Sequence, residues 1–78
     1  MNIKILGTGC AKCDKLEELT KRALAELNID AVVVKVRELN KILAYGVMMT
    51  PGLVIDEQVK SSGRIPAIEQ IKQWIQES

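Results

Sequence analysis

The chain has 78 residues, of which 47% are hydrophobic, 27% charged and only 3% aromatic, with a net charge of +1 and no histidine. A chain of this size forms one domain and buries only about 60 to 65% of its unfolded surface, so a thin aliphatic core of Ile, Val, Leu and Ala is expected over residues 1–78. Interleaved acids and bases leave no basic stripe, and one Tyr and one Trp cannot stack a run of bases, which argues against a nucleic-acid partner.

The elements follow in chain order. "NIKIL" (Asn2 to Leu6) is short, β-branched and bounded by Gly7 and Gly9, which suits a buried strand. A helix is predicted from about Ala11 to Asn28, where Leu16, Leu19, Ala23, Leu24 and Leu27 recur at steps of three and four and form one apolar stripe. Asp14, Glu17 and Glu18 crowd its first half and Lys21 and Arg22 follow, an order the helix dipole partly favours.

"IDAVVVKVREL" comes next, with Val32, Val33, Val34 and Val36 nearly continuous, as expected for a strand of a parallel sheet covered on both faces. Strand, helix and strand make a βαβ unit. A short helix over about Glu38 to Tyr45 is stopped at Gly46. "MMTPGLVIDEQVKSSG" reads as a hairpin, with strands Leu53 to Ile55 and Gln58 to Lys60 about a turn at Asp56 and Glu57 that lacks the favoured Asn-Gly or Asp-Gly. A last helix is predicted from about Pro66 to Gln76, with Pro66 in its first turn, Ile68, Ile71 and Ile75 facing inward and Trp74 at the edge of the core. No apolar run approaches the ~20 residues of a membrane span, and "MNIKILG" is too short for a signal-peptide core, so a cytoplasmic protein with no membrane partner is expected.

The chemistry lies in "GTGCAKCDKLEEL". Cys10 falls at the cap or first residue of the first helix, where unpaired backbone N–H groups and the positive end of the dipole favour a thiolate, and Lys12 adds a nearby positive charge. Cys13 stands three residues before Leu16, in line with the apolar stripe, and should face inward. Positions three apart on a helix lie about 5 to 6 Å apart at Cβ, close enough for a disulfide after a small adjustment of the first turn. This separates an exposed attacking thiol, Cys10, from a shielded resolving thiol, Cys13.

Other uses of the pair stand beside this one. A structural disulfide across so short a loop removes little unfolded-state entropy, and a cytoplasmic chain would not retain it. Zinc needs four ligands, and without a His or a third Cys only a dimer sharing four thiolates could supply them. A Cu(I) carrier using both thiolates is the main alternative. Small heavy-metal-associated domains have a similar motif after a first strand, but they usually place a Met where this chain has Thr8 and end in a strand rather than a helix. A non-catalytic adaptor that uses the fold only for docking is a further possibility.

The order of elements, "CAKC" (Cys10 to Cys13) at the first helix and "MTP" (Met49, Thr50, Pro51) before the third strand resemble the thioredoxin superfamily. The chain is most similar to the small glutaredoxin-like thioredoxins of archaea and bacteria, whose "GTGCxxC", "PG" and "GR" match Gly7 to Cys13, Pro51 and Gly52, and Gly63 and Arg64. The resemblance implies an α/β thioredoxin-like fold, βαβ-α-ββα, with a four-stranded mixed sheet flanked by three helices. It implies a dithiol-disulfide oxidoreductase that reduces protein disulfides through Cys10 and Cys13. Gly9, Ala11, Lys12, Thr50 and Pro51 would be the substrate-binding residues around them.

It also implies a cis Thr50–Pro51 bond facing the cysteines, with a backbone group of Thr50 left to pair with an extended substrate segment. Disulfide-containing proteins and an electron donor of the thioredoxin-reductase type are the expected partners, a monomer the expected state, and no cofactor or metal is expected. Thioredoxins proper usually have Trp before the first Cys and Gly-Pro between the pair, where this chain has Gly9 and Ala11-Lys12. They also bury an acid that assists the resolving thiol. "NIKIL" supplies none, so the proton of Cys13 should leave to water or to a carboxylate from elsewhere in the chain. Ser61, Ser62, Gly63 and Arg64 stand where glutaredoxins have Gly-Gly and an acid to bind glutathione, and Arg64 reads as a solvated surface residue.

Overall fold

The computed structural model describes residues 1–9 and 11–78. Its elements are β1 (Asn2–Leu6), α1 (Ala11–Glu26), β2 (Val32–Val36), α2 (Leu39–Ala44), β3 (Gly52–Ile55), β4 (Gln58–Ser62) and α3 (Ile68–Glu77). The strands form one mixed sheet in the order β2-β1-β3-β4. β1 runs parallel to β2, with Ile5 opposite Lys35 and Leu6 opposite Val36, and antiparallel to β3, with Leu6 opposite Gly52. This is the α/β arrangement, four strands and three helices, that the sequence led us to expect.

Alternation along β1 divides the core in two. Ile3 and Ile5 face α1 and α3, packing with Leu16, Ala23, Leu24, Leu53, Ile55, Ile71 and Ile75. On the other face Leu6 and Val54 pack with Ile42 of α2 and with Val47. Trp74 is partly buried against the larger cluster, at the edge of the core as expected.

α1 begins at Ala11 as predicted and ends two residues earlier than Asn28. Asn28 takes φ +57°, and Ile29 N–H donates to Leu24 O (2.9 Å) while Asn28 N–H donates to Ala25 O (3.1 Å). These paired bonds around a left-handed residue are a Schellman ending, with Asn in the position usually held by Gly. Within the helix Thr20 is fully buried, and its hydroxyl donates to Leu16 O (2.7 Å), so a polar residue sits on the inward stripe with its hydrogen bond satisfied locally.

β2 departs from expectation. The valine run predicts a strand covered on both faces, yet Val32 is 63% and Val34 45% exposed. β2 is an edge strand, and α2, six residues or about 9 Å long, is too short to cover the sheet face on which these valines stand. α2 itself is framed by Glu38 and Tyr45, and Gly46 (φ +79°) ends it with an N–H bond to Leu43 O of 2.8 Å.

The hairpin turn forms at Asp56 and Glu57, both in the left-handed region (φ +49° and +67°), the geometry that usually calls for Asn-Gly. Bonds from outside the turn hold it. Asp56 N–H donates to Asn2 O (2.8 Å), and Asn2 N–H donates to Asp56 Oδ1 (2.9 Å). Glu57 accepts hydrogen bonds from Lys4 Nζ (2.7 Å) and Tyr45 OH (2.9 Å). β4 runs to Ser62, beyond the predicted Lys60. Leu53 faces Ser61 and Val54 faces Val59, so a bulge at Lys60 carries the strand on. Pro66 lies outside α3, because Ala67 is extended (φ −66°, ψ 151°) and serves as its N-cap, its carbonyl accepting from Gln70 and Ile71.

Candidate functional site

The site gathers at one end of the sheet, where the chain leaves β1 and where β3 begins. Gly7 continues β1 with its N–H bonded to Val36 O (2.9 Å), which ties this turn to the end of β2. A β-carbon built on Gly7 would collide with the sulfur of Cys13, and it would stand 3.1 Å from Cys13 Cβ and 4.0 Å from Thr50 Cβ. The thiol therefore lies over the bare backbone of Gly7, which the Thr50 side chain also approaches. Cys13 is 4% exposed, on the same buried side of α1 as Leu16, as its place in the stripe predicts.

Gly9, exposed and at φ +92°, turns the chain into α1, a conformation that favours glycine. Ala11 and Lys12 form the exposed start of the helix. Cys10 lies outside the described residues. Thr50 is half-buried and Pro51 buried, and the bond between them is cis, as the resemblance implied. Pro51 O accepts a hydrogen bond from Gly63 N–H (2.9 Å), which fastens the Thr50–Pro51 loop to the end of β4. A β-carbon on Gly63 (φ +74°) would come within 2.9 Å of Met49 Cβ. Residues 49 and 63 thus meet closely beneath an apolar rim on which Met48 is 89% and Met49 67% exposed. Arg64 is exposed. Of the residues singled out from sequence, Gly9 and Cys13 border one cavity, and Thr50, joined to Pro51 by the cis bond, approaches Gly7 as Cys13 does.

A group that the sequence reading did not identify lies beside the thiol. Ile5, Gly7, Gly9, Cys13, Asp14, Lys35 and Arg37 line a cavity of about 10 Å³, close to the space one water needs. Lys35 Nζ stands 3.3 Å from Asp14 Oδ1 and 3.1 Å from Glu17 Oε1. The hydrogen bonds that Lys35 donates to Glu17, then to Asp14, raise its pKa above the usual value, and the bond from Lys35 is the main cause that lowers that of Glu17. Lys35 is therefore an ammonium throughout the ordinary pH range. Its signal in the sequence was the single charge that interrupts "VVVKV": on an edge strand beside β1, in register with Ile5, that charge reaches the end of the sheet occupied by Cys13.

No helix among the described residues is long and apolar enough to cross a membrane. A family model described as Thioredoxin domain matches residues 1–76. Two curated relatives are both named Thioredoxin. That of Methanocaldococcus jannaschii is 45% identical over 71 residues, covering 91% of this chain and 81% of its own. That of Methanothermobacter thermautotrophicus is 44% identical over 72 residues, covering 92% of this chain and 94% of its own. With both the family match and the relatives running along nearly the whole sequence, the chain belongs to the thioredoxin domain family of thiol-disulfide oxidoreductases.

Proposed function

We propose that the protein reduces disulfides in other proteins through the Cys10-Ala11-Lys12-Cys13 centre, with Cys10 attacking and Cys13 resolving. The observation that carries this reading is the position of the Cys13 sulfur, buried against Gly7, whose other close neighbour is Thr50. A thiol so shielded meets a large disulfide substrate poorly, which suits it to the second, intramolecular step, attack on the Cys10 sulfur of a mixed disulfide.

The chemistry balances in two displacements. Cys10 thiolate bonds to one sulfur of the substrate disulfide, that S–S bond breaks, and the departing substrate thiolate takes a proton from solvent. Cys13, having given up its proton, then attacks the Cys10 sulfur of the mixed disulfide. The second substrate sulfur leaves and is protonated, and Cys10 and Cys13 are left joined. The substrate has gained two electrons and two protons, and a reductase of the thioredoxin-reductase type returns the pair to dithiol.

Around this exchange, an extended substrate strand would pair with the backbone at Thr50, pack on Met48 and Met49, and pass Gly9, Ala11 and Lys12. Lys35, which borders the same cavity as Cys13, would lower the cost of forming the Cys13 thiolate. The reading puts the protein in the cytoplasm, where such a pair can be cycled, and treats it as a monomer.

The test is trapping in native lysate. Cys13→Ser should accumulate mixed disulfides through Cys10, and Cys10→Ser should abolish disulfide reduction. Faster alkylation of Cys13 than of Cys10 in the reduced protein would reverse the roles. A tight Cu(I) site requiring both thiols, together with slow turnover by a reductase, would favour the carrier instead.

A further inference from the structure

The second feature is on the opposite side of the sheet from α1 and α3. Because α2 covers only part of that face, an open groove of about 500 Å³ remains, lined by Lys4, Val34, Val36, Lys41, Ala44, Tyr45 and Glu57. That volume is in the range of small-molecule sites, and the walls have the character of one, apolar with a few convergent polar groups. Val34 is exposed although it belongs to a strand of valines, so the groove presents apolar surface to solvent.

The polar end is preorganised. Lys4 Nζ donates to Tyr45 OH and to Glu57 Oε1, both at 2.7 Å, and Tyr45 OH donates to Glu57 Oε2 at 2.9 Å. Both Glu57 oxygens are thus engaged, while the ammonium of Lys4, with three N–H groups and two bonds made, has one donor left. Hydrogen bonds to Glu57 and Tyr45 raise the Lys4 pKa, and the bond to Lys4 chiefly lowers that of Glu57, so both are charged at ordinary pH. Lys41 adds a second cation, at 3.8 Å from the exposed Glu38. Each cation has a carboxylate nearby, Glu57 for Lys4 and Glu38 for Lys41, so the sign of the ligand is decided by which groups lining the groove keep bonding capacity: both Glu57 oxygens are engaged, while Lys4 and Lys41 keep N–H donors. A cation would have to compete with Lys4 for Glu57. An anion meets the spare Lys4 donor and Lys41.

We propose that this groove binds a small amphiphilic carboxylate, with its hydrocarbon part on Val34, Val36 and Ala44 and its head group toward Lys4 and Lys41. The site is independent of the cysteine chemistry and lies on a different face of the sheet.

The experiment is an NMR titration of the ¹⁵N-labelled full chain with octanoate, and in parallel with octanol and octyltrimethylammonium as neutral and cationic counterparts. Octanoate should shift the amides of Val34, Val36, Ala44 and Tyr45 in a saturable way, and more tightly than either counterpart. Lys41→Glu should weaken octanoate by about fivefold. Val34→Glu, a change at an exposed position that the fold should tolerate, should abolish the shifts while leaving the rest of the spectrum in place. Equal binding of octanol or of the cation would overturn the charge argument. Shifts that map elsewhere, or none at millimolar octanoate, would overturn the site.

Discussion

The sulfur of Cys13 occupies the space that a β-carbon on residue 7 would need. Two positions six apart in sequence, one in the turn after β1 and one in the first turns of α1, are thereby coupled: the backbone of one is the seat of the other's thiol. Gly7→Ala must displace the sulfur or the turn. A loss of about 1 to 3 kcal/mol is expected from overpacking at a buried site, read as a lower urea midpoint, together with a longer-lived mixed disulfide in single-turnover assays. A variant with native stability and native resolution rate would show that the sulfur moves aside without cost.

Lys35 is expected to act on Cys13 through charge. The charged groups facing the cavity are Asp14 on α1 and Lys35 and Arg37 from β2 and its end, with Glu17 reaching it through Lys35. In a Cys10→Ser background, Lys35→Met should move the pH midpoint for alkylation of Cys13 upward by about half a pH unit, and Lys35→Arg should restore most of it. An unmoved midpoint in Lys35→Met would reduce Lys35 to a partner of Asp14 and Glu17.

Ion pairing sets the pH range of stability. Glu17, Glu26 and Glu57 have pKa values lowered from 4.5, first of all by side-chain hydrogen bonds from Lys35, Lys72 and Lys4 respectively. Lowered carboxylates stabilise the fold above their unfolded pKa and lose that contribution as pH falls through the folded one. Lys4 and Lys35, raised from 10.5, stabilise below that value and lose the contribution as pH rises past their folded pKa. Denaturation midpoints should be flat in between, fall on the acid side below about pH 4.5, and fall again on the alkaline side above about pH 10.5. A maximum confined to a narrow range near neutrality would contradict this.

Asn28 closes α1 in the left-handed region at φ +57°. Replacing it by alanine should cost about 1 kcal/mol, since a β-carbon is disfavoured there without the local hydrogen bonding that Asn offers, while glycine should match or slightly exceed the parent. Urea denaturation of Asn28→Ala and Asn28→Gly measures the difference. Equal midpoints would mean that the ending reorganises.

Local pattern made much of this molecule legible. The 3-and-4 spacing that joins Cys13 to Leu16 placed the thiol inward, because helical periodicity alone assigns a face. Gly46 was readable from short-range conformational preference, whereas the Asp56-Glu57 turn was placed by the strands on either side and owes its left-handed residues to bonds with Asn2, Lys4 and Tyr45 that no local rule announces. Pro66 misled for a related reason. A proline suits a first helical turn, but the extended Ala67 after it starts α3 later.

The sequence by itself determined the order of elements and the inward face of α1, and its motifs pointed to Cys13 and the cis Thr-Pro step at one end of the sheet, since each depends on residues close together in the chain or on a motif. Tertiary structure alone decided that β2 stands at the edge, that Lys35 reaches the cavity beside Cys13, that Gly7 is the seat of the sulfur, and that α2 leaves a groove above Lys4. These depend on which strands neighbour which and in what register. Strand order is settled by the balance of burial over the whole sheet, and a run such as "VVVKV" reads the same at the centre as at the edge.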